Sequence, residues 1–146
     1  MKRTIWATLS IFTTITLFSF TASLLLARGA TADGAPDQGF SVKEYSDFHD
    51  VLEPLQHEAL PNNDFKRIRS KAGLLWALGQ EILKLGVPKG VEGKTSEDFK
   101  EGLKKFDEAL SKFKTDAGNG TDNELKASYS AVHDSFEVLA AMLPGK

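Results

Sequence analysis

Apolar residues recur at steps of three and four along four separate stretches of the chain, and each stretch is bounded by residues that start or stop helices. The first carries Tyr45, Phe48, Leu52, Leu55 and Ala59. This spacing places one apolar stripe on a helix face. Ser41, followed by Glu44 three positions later, predicts a capping box, and Phe40 and Tyr45 flank it as a hydrophobic staple. Leu60-Pro61 ends the helix. Pro54 lies inside it, removes the bond to the Asp50 carbonyl and predicts a kink.

A second helix is predicted from about Asp64 to Leu85, with Phe65, Ile68, Ala72, Leu75, Leu78 and Ile82 on its buried face and Gly86 and Pro88 as its stop. The third begins at Thr95 with Asp98 reaching back, and carries Phe99, Leu103, Phe106, Leu110 and Phe113 as a heptad seam. Gly118-Asn119-Gly120 ends it. The fourth opens with a second capping box, Thr121 with Glu124, and carries Leu125, Tyr129, Val132, Phe136, Leu139 and Leu143. Four amphipathic helices with short connections predict an all-α domain over residues 40–146, arranged as an up-down-up-down antiparallel four-helix bundle.

What precedes the domain has another character. Lys2 and Arg3 are followed by an apolar, Ser/Thr-rich stretch to about Leu26 and by the small-residue sequence Ala30-Thr31-Ala32. That order predicts a signal peptide over residues 1–32, cleaved after Ala32; left uncleaved, the same stretch would anchor the protein in a membrane. Residues 33–39, rich in Gly, Asp and Pro, read as a flexible lead-in. A periplasmic or secreted location follows.

Charge and cysteine usage narrow the chemistry. Without Lys2, Arg3 and Arg28, the 18 basic residues fall to 15 against 20 acidic ones, a formal charge of −5. This argues against nucleic acid as a partner. The chain has no cysteine, so any metal must be held by imidazole, carboxylate or another oxygen donor. No nucleophile–base order and no phosphate loop is present, so the sequence is read as that of a binding protein and not an enzyme.

One phrase of eleven residues occurs twice, YSDFHDVLEPL at Tyr45 to Leu55 and YSAVHDSFEVL at Tyr129 to Leu139. It holds two of the three histidines, His49 and His133, each four residues before a glutamate, Glu53 and Glu137; that spacing puts both side chains on one helix face. At about 100° per residue, each histidine lies about 60° from the centre of its apolar stripe, and each glutamate about 100°. If the first and last helices run antiparallel, both imidazoles and both carboxylates share a layer about 8 Å thick. His57, at about 140°, lies clear of the core unless the bend at Pro54 turns it in. A His/Glu site for copper, zinc, nickel or iron follows, with His57 as a further candidate ligand.

The second copy also resembles a known family. Tyr-Ser-Ala-Val-His-Asp-Ser-Phe at 129–136 is similar to the C-x-x-C-H-D-x-F ending of cytochrome c prime, an exported four-helix bundle whose haem iron is held by that histidine. The matching position is His133, while Tyr129 and Val132 stand where the family has its haem-attaching cysteines. The resemblance therefore implies no covalent haem, and leaves a non-covalent haem b with His133 as axial ligand, in electron transfer or gas binding, as an alternative to a directly bound ion. A bundle without cofactor that docks a protein partner is the third reading. The sequence names no such partner and leaves a homodimer open.

Overall fold

A computed structural model describes residues 39–145 of the protein; the expected leader at 1–32 and the lead-in up to residue 38 lie outside the described residues. These residues contain no strand and form four α-helices: α1, Lys43–Pro54; α2, Phe65–Leu85; α3, Gly93–Asn119; and α4, Asp122–Ala140. The expected stripes form the core. Tyr45, Phe48, Leu52, Leu55 and Ala59 are buried, as are Ile68, Ala72, Leu75 and Ile82 of α2. Phe99, Phe106, Leu110 and Phe113 of α3 meet Leu125, Tyr129, Val132, Phe136 and Leu139 of α4 in the same cluster. Phe65, Leu78, Leu103 and Leu143 pack at its margin.

Two helix starts follow the local sequence and two do not. Asp64 accepts the Arg67 N–H at 3.0 Å. Thr121 and Glu124 form the reciprocal capping box, with the Glu124 carboxylate accepting from the Thr121 N–H at 2.8 Å. Gly86 closes α2 in left-handed backbone (φ 71°), its N–H donating to the Ile82 carbonyl. Ser41, however, does not cap α1: its hydroxyl donates to the Pro144 carbonyl at 3.0 Å, and α1 starts after Val42 without a side-chain cap. Nor does Thr95 start α3, which begins two residues earlier at Gly93, a glycine at φ 60°.

Pro54 ends regular α-helix, and the chain continues as a π-helical turn over Leu55–Ala59. Within it the Leu60 N–H reaches back five residues to the Leu55 carbonyl at 2.9 Å. A π-turn absorbs an extra residue without breaking the helix, so the expected kink appears as a change of winding. Just before it, the last turn of α1 is stitched to α4: the Tyr129 hydroxyl donates to the Leu52 carbonyl at 3.0 Å.

Neighbouring helices approach closely where a glycine makes room. A methyl group on Gly79 of α2 would collide with Leu110 of α3, and one on Gly102 of α3 would collide with Leu139 of α4. Arg69 of α2 holds the α3–α4 junction, its guanidinium donating to the carbonyls of Asp116, Ala117 and Gly120 and to the Asp122 carboxylate at 2.8–3.0 Å. By contrast α1 and α4 meet through large side chains: Phe136 lies 4.9 Å from Phe48 and 5.8 Å from Tyr45, ring centre to ring centre.

Candidate functional site

The α1/α4 contacts fix where the histidines sit. Along α1 the sequence runs Tyr45, Phe48, Leu52; along α4 the partners of these residues run in the opposite order, with Phe136 against Tyr45 and Phe48 and Tyr129 against Leu52. His49 and His133 therefore fall at matching levels. Each stands on the helix shoulder that faces the other helix. His49 touches Phe136, with ring centres 6.1 Å apart and planes 25° from parallel. On α4, Leu139 turns toward Gly102 of α3, and His133 lies on the opposite side of the Phe136 direction, toward α1.

The two imidazoles are alike in exposure, at 24% and 25%, and unlike in surroundings. The Nδ1 of His49 lies 3.9 Å from the Glu53 carboxylate, an ion-pair distance and too long for a hydrogen bond. The ring of Phe40, arriving from the segment before α1, stands edge-on to it at 5.3 Å. Phe40 also meets Tyr45 and Phe136. His133 has its nearest carboxylate in Asp134, 3.4 Å from Nδ1, and not in Glu137, which is exposed. His57, within the π-turn, is exposed.

The expected four-donor layer is thus brought together only in part. His49 and Glu53 are paired, and His133 is level with them on the facing helix. Among the described residues no three His, Cys, Asp or Glu side chains converge as a metal-holding group, so an ion at this level requires Glu53, Glu137 or both to swing inward.

No family model, curated protein or solved structure matches this chain. The residues themselves must therefore carry the argument.

A haem fits the described interior poorly. Tyr45, Phe48, Phe106 and Phe136 form a chain of ring contacts at 4.9–6.5 Å, and a macrocycle laid against His133 would have to displace them. These residues do not fit the group as they stand.

Sequence reasoning missed three features of the site. Phe40 was assigned only a staple to Tyr45, a contact that does form at 6.4 Å, but it also covers His49. Asp134, which follows His133 directly, lies outside the four-residue spacing that selects the glutamates. The third is a pair of buried polar atoms without a hydrogen-bond partner among the described residues, the Tyr45 hydroxyl and the Gln56 Oε1. Both stand on the first copy of the phrase or next to it, four residues before His49 and seven after. Burial pushes the Tyr45 hydroxyl far above the usual phenol range. Tyr45 belongs to the buried stripe of α1, while Gln56 lies in the π-turn beyond it.

Proposed function

We propose that the four helices form an up-down-up-down antiparallel bundle resembling a cysteine-free cytochrome c prime, and that it is an exported binding protein without catalytic turnover. Its α1/α4 groove takes up a divalent transition metal ion through His49 and His133, with Glu53 and Glu137 as carboxylate partners. The observation that carries this reading is the pair of part-buried imidazoles, level with each other on facing shoulders of α1 and α4.

The donor types suit copper, zinc, nickel or iron, which accept imidazole readily and do not require thiolate. Glu53, 3.9 Å from Nδ1 of His49, is the carboxylate already nearest to the groove's first imidazole. His57 stands apart on the exposed π-turn and is not needed for this set.

The test is metal content and absorbance of the purified exported form. Stoichiometric metal, lost in both His49→Ala and His133→Ala, is the expected result. Metal content unchanged in both variants would sink the reading, and a Soret band would replace it with the non-covalent haem alternative.

A further inference from the structure

The proposed site has one feature with no counterpart around His133: an aromatic ring from outside the helices holds its imidazole. Phe40 stands edge-on to His49, with ring centres 5.3 Å apart and planes at 80°, while Phe136 lies beside both, 6.1 Å from His49 at 25° and 5.7 Å from Phe40. An imidazole on an exposed shoulder has several open rotamers. Here two rings contact it at once.

Phe40 is in turn fixed from three sides. It makes edge contacts with Tyr45 and Phe136 at 6.4 and 5.7 Å. Its carbonyl accepts from the Ser46 hydroxyl at 3.3 Å, and the next residue, Ser41, is tied to the Pro144 carbonyl. The hydroxyl that the sequence offered as a helix cap is used to moor this strap.

We propose that Phe40 is a positioning residue for the metal-binding imidazole of His49. Its ring fills space beside the imidazole and, together with Phe136, favours the rotamer in which Nδ1 is turned to Glu53. This inference rests on the metal-binding reading above. The strap lowers the ordering cost of binding, as preorganisation does generally.

The experiment compares full-length exported protein with Phe40→Ala and Phe40→Tyr variants, using Zn2+ competition against a chromophoric chelator and NMR of the histidine ring protons. The expected result is Zn2+ affinity weakened about tenfold in Phe40→Ala, in the range of lost outer partners of metal-bound histidine, and restored in Phe40→Tyr. The His49 ring protons should lose their ring-current shift in Phe40→Ala while those of His133 stay put. Unchanged His49 signals, or unchanged Zn2+ affinity in Phe40→Ala against a binding wild type, overturn the positioning role alone. No Zn2+ bound by the wild type overturns the metal reading and this inference with it.

Discussion

The two copies of the repeated phrase have the same tyrosine, histidine and glutamate at the same spacing, yet the helix around them is wound differently. The second copy lies in unbroken α4, where its Tyr129 hydroxyl finds an acceptor across the groove. The first copy runs into Pro54 and the π-turn, and its Tyr45 hydroxyl is buried without a partner among the described residues. Were the pair symmetric, Tyr45 would reach the Phe136 carbonyl just as Tyr129 reaches that of Leu52. Both carbonyls have a lone pair to spare, yet only that of Leu52, where the Leu55 N–H reaches back three residues, receives a tyrosine hydroxyl. At Phe136 the α-helix runs on to Ala140. Equal letters thus acquire unequal partners.

The sharpest way to break the comparison is to truncate the residue at the same place in each copy. Phe136 contacts five rings, those of Phe40, Tyr45, Phe48, His49 and Phe106, whereas its counterpart Leu52 contributes an aliphatic side chain to the same core. Phe136→Ala should cost about 4 kcal/mol and Leu52→Ala about 3 kcal/mol in urea unfolding. Equal losses, or the reverse order, would show that the ring cluster is not the centre of the α1/α4 contact.

A smaller and more selective effect separates the two tyrosines. Tyr129→Phe removes a buried hydrogen bond but leaves Leu52 its backbone donor, so it should cost about 1 kcal/mol. Tyr45→Phe removes a hydroxyl that has no partner, and should leave stability unchanged or raise it. If both variants lose the same stability, the Tyr45 hydroxyl has a partner after all.

The smallest effect is in acid. Asp116, held low chiefly by Lys112 and then by Ser128, and Glu124, held low by the Thr121 N–H and hydroxyl, both lie at the junction that opens α4. A carboxylate with a lowered folded pKa contributes stability that is complete above its ordinary value, about pH 4, and lost as pH falls through the folded value. Amide exchange in the first turn of α4 should therefore rise below about pH 4 ahead of that in α1, whose start carries no side-chain cap. Simultaneous loss would place the acid-labile contacts elsewhere.

Much of the fold was legible because its signals are local. Asp64, Gly86 and the Thr121–Glu124 pair act within one turn, and the apolar stripes need only the helical period. Ser41 misled because its better acceptor, the Pro144 carbonyl, is 103 residues away, a distance that spacing rules do not see. Pro54 correctly marked a disturbance, but a proline signal alone does not say whether the chain bends sharply or rewinds as a π-turn. The site was half legible for the same reason. Spacing put His49 beside Glu53 and brought His133 level with it, whereas the cover by Phe40 and the pairing of His133 with Asp134 are set by side-chain directions in the assembled groove.

The Ser41–Pro144 hydrogen bond carries one more consequence. It brings the entry and exit of the described helical chain to within a single contact of each other, so the order of helices along the gene is not what holds them in place. Joining those ends and cutting in the Gly86–Glu92 connection would yield the same four helices in a different order, beginning with α3 and placing α1 directly after α4. The phrase that now lies at opposite ends of the domain would then be read as a single hairpin.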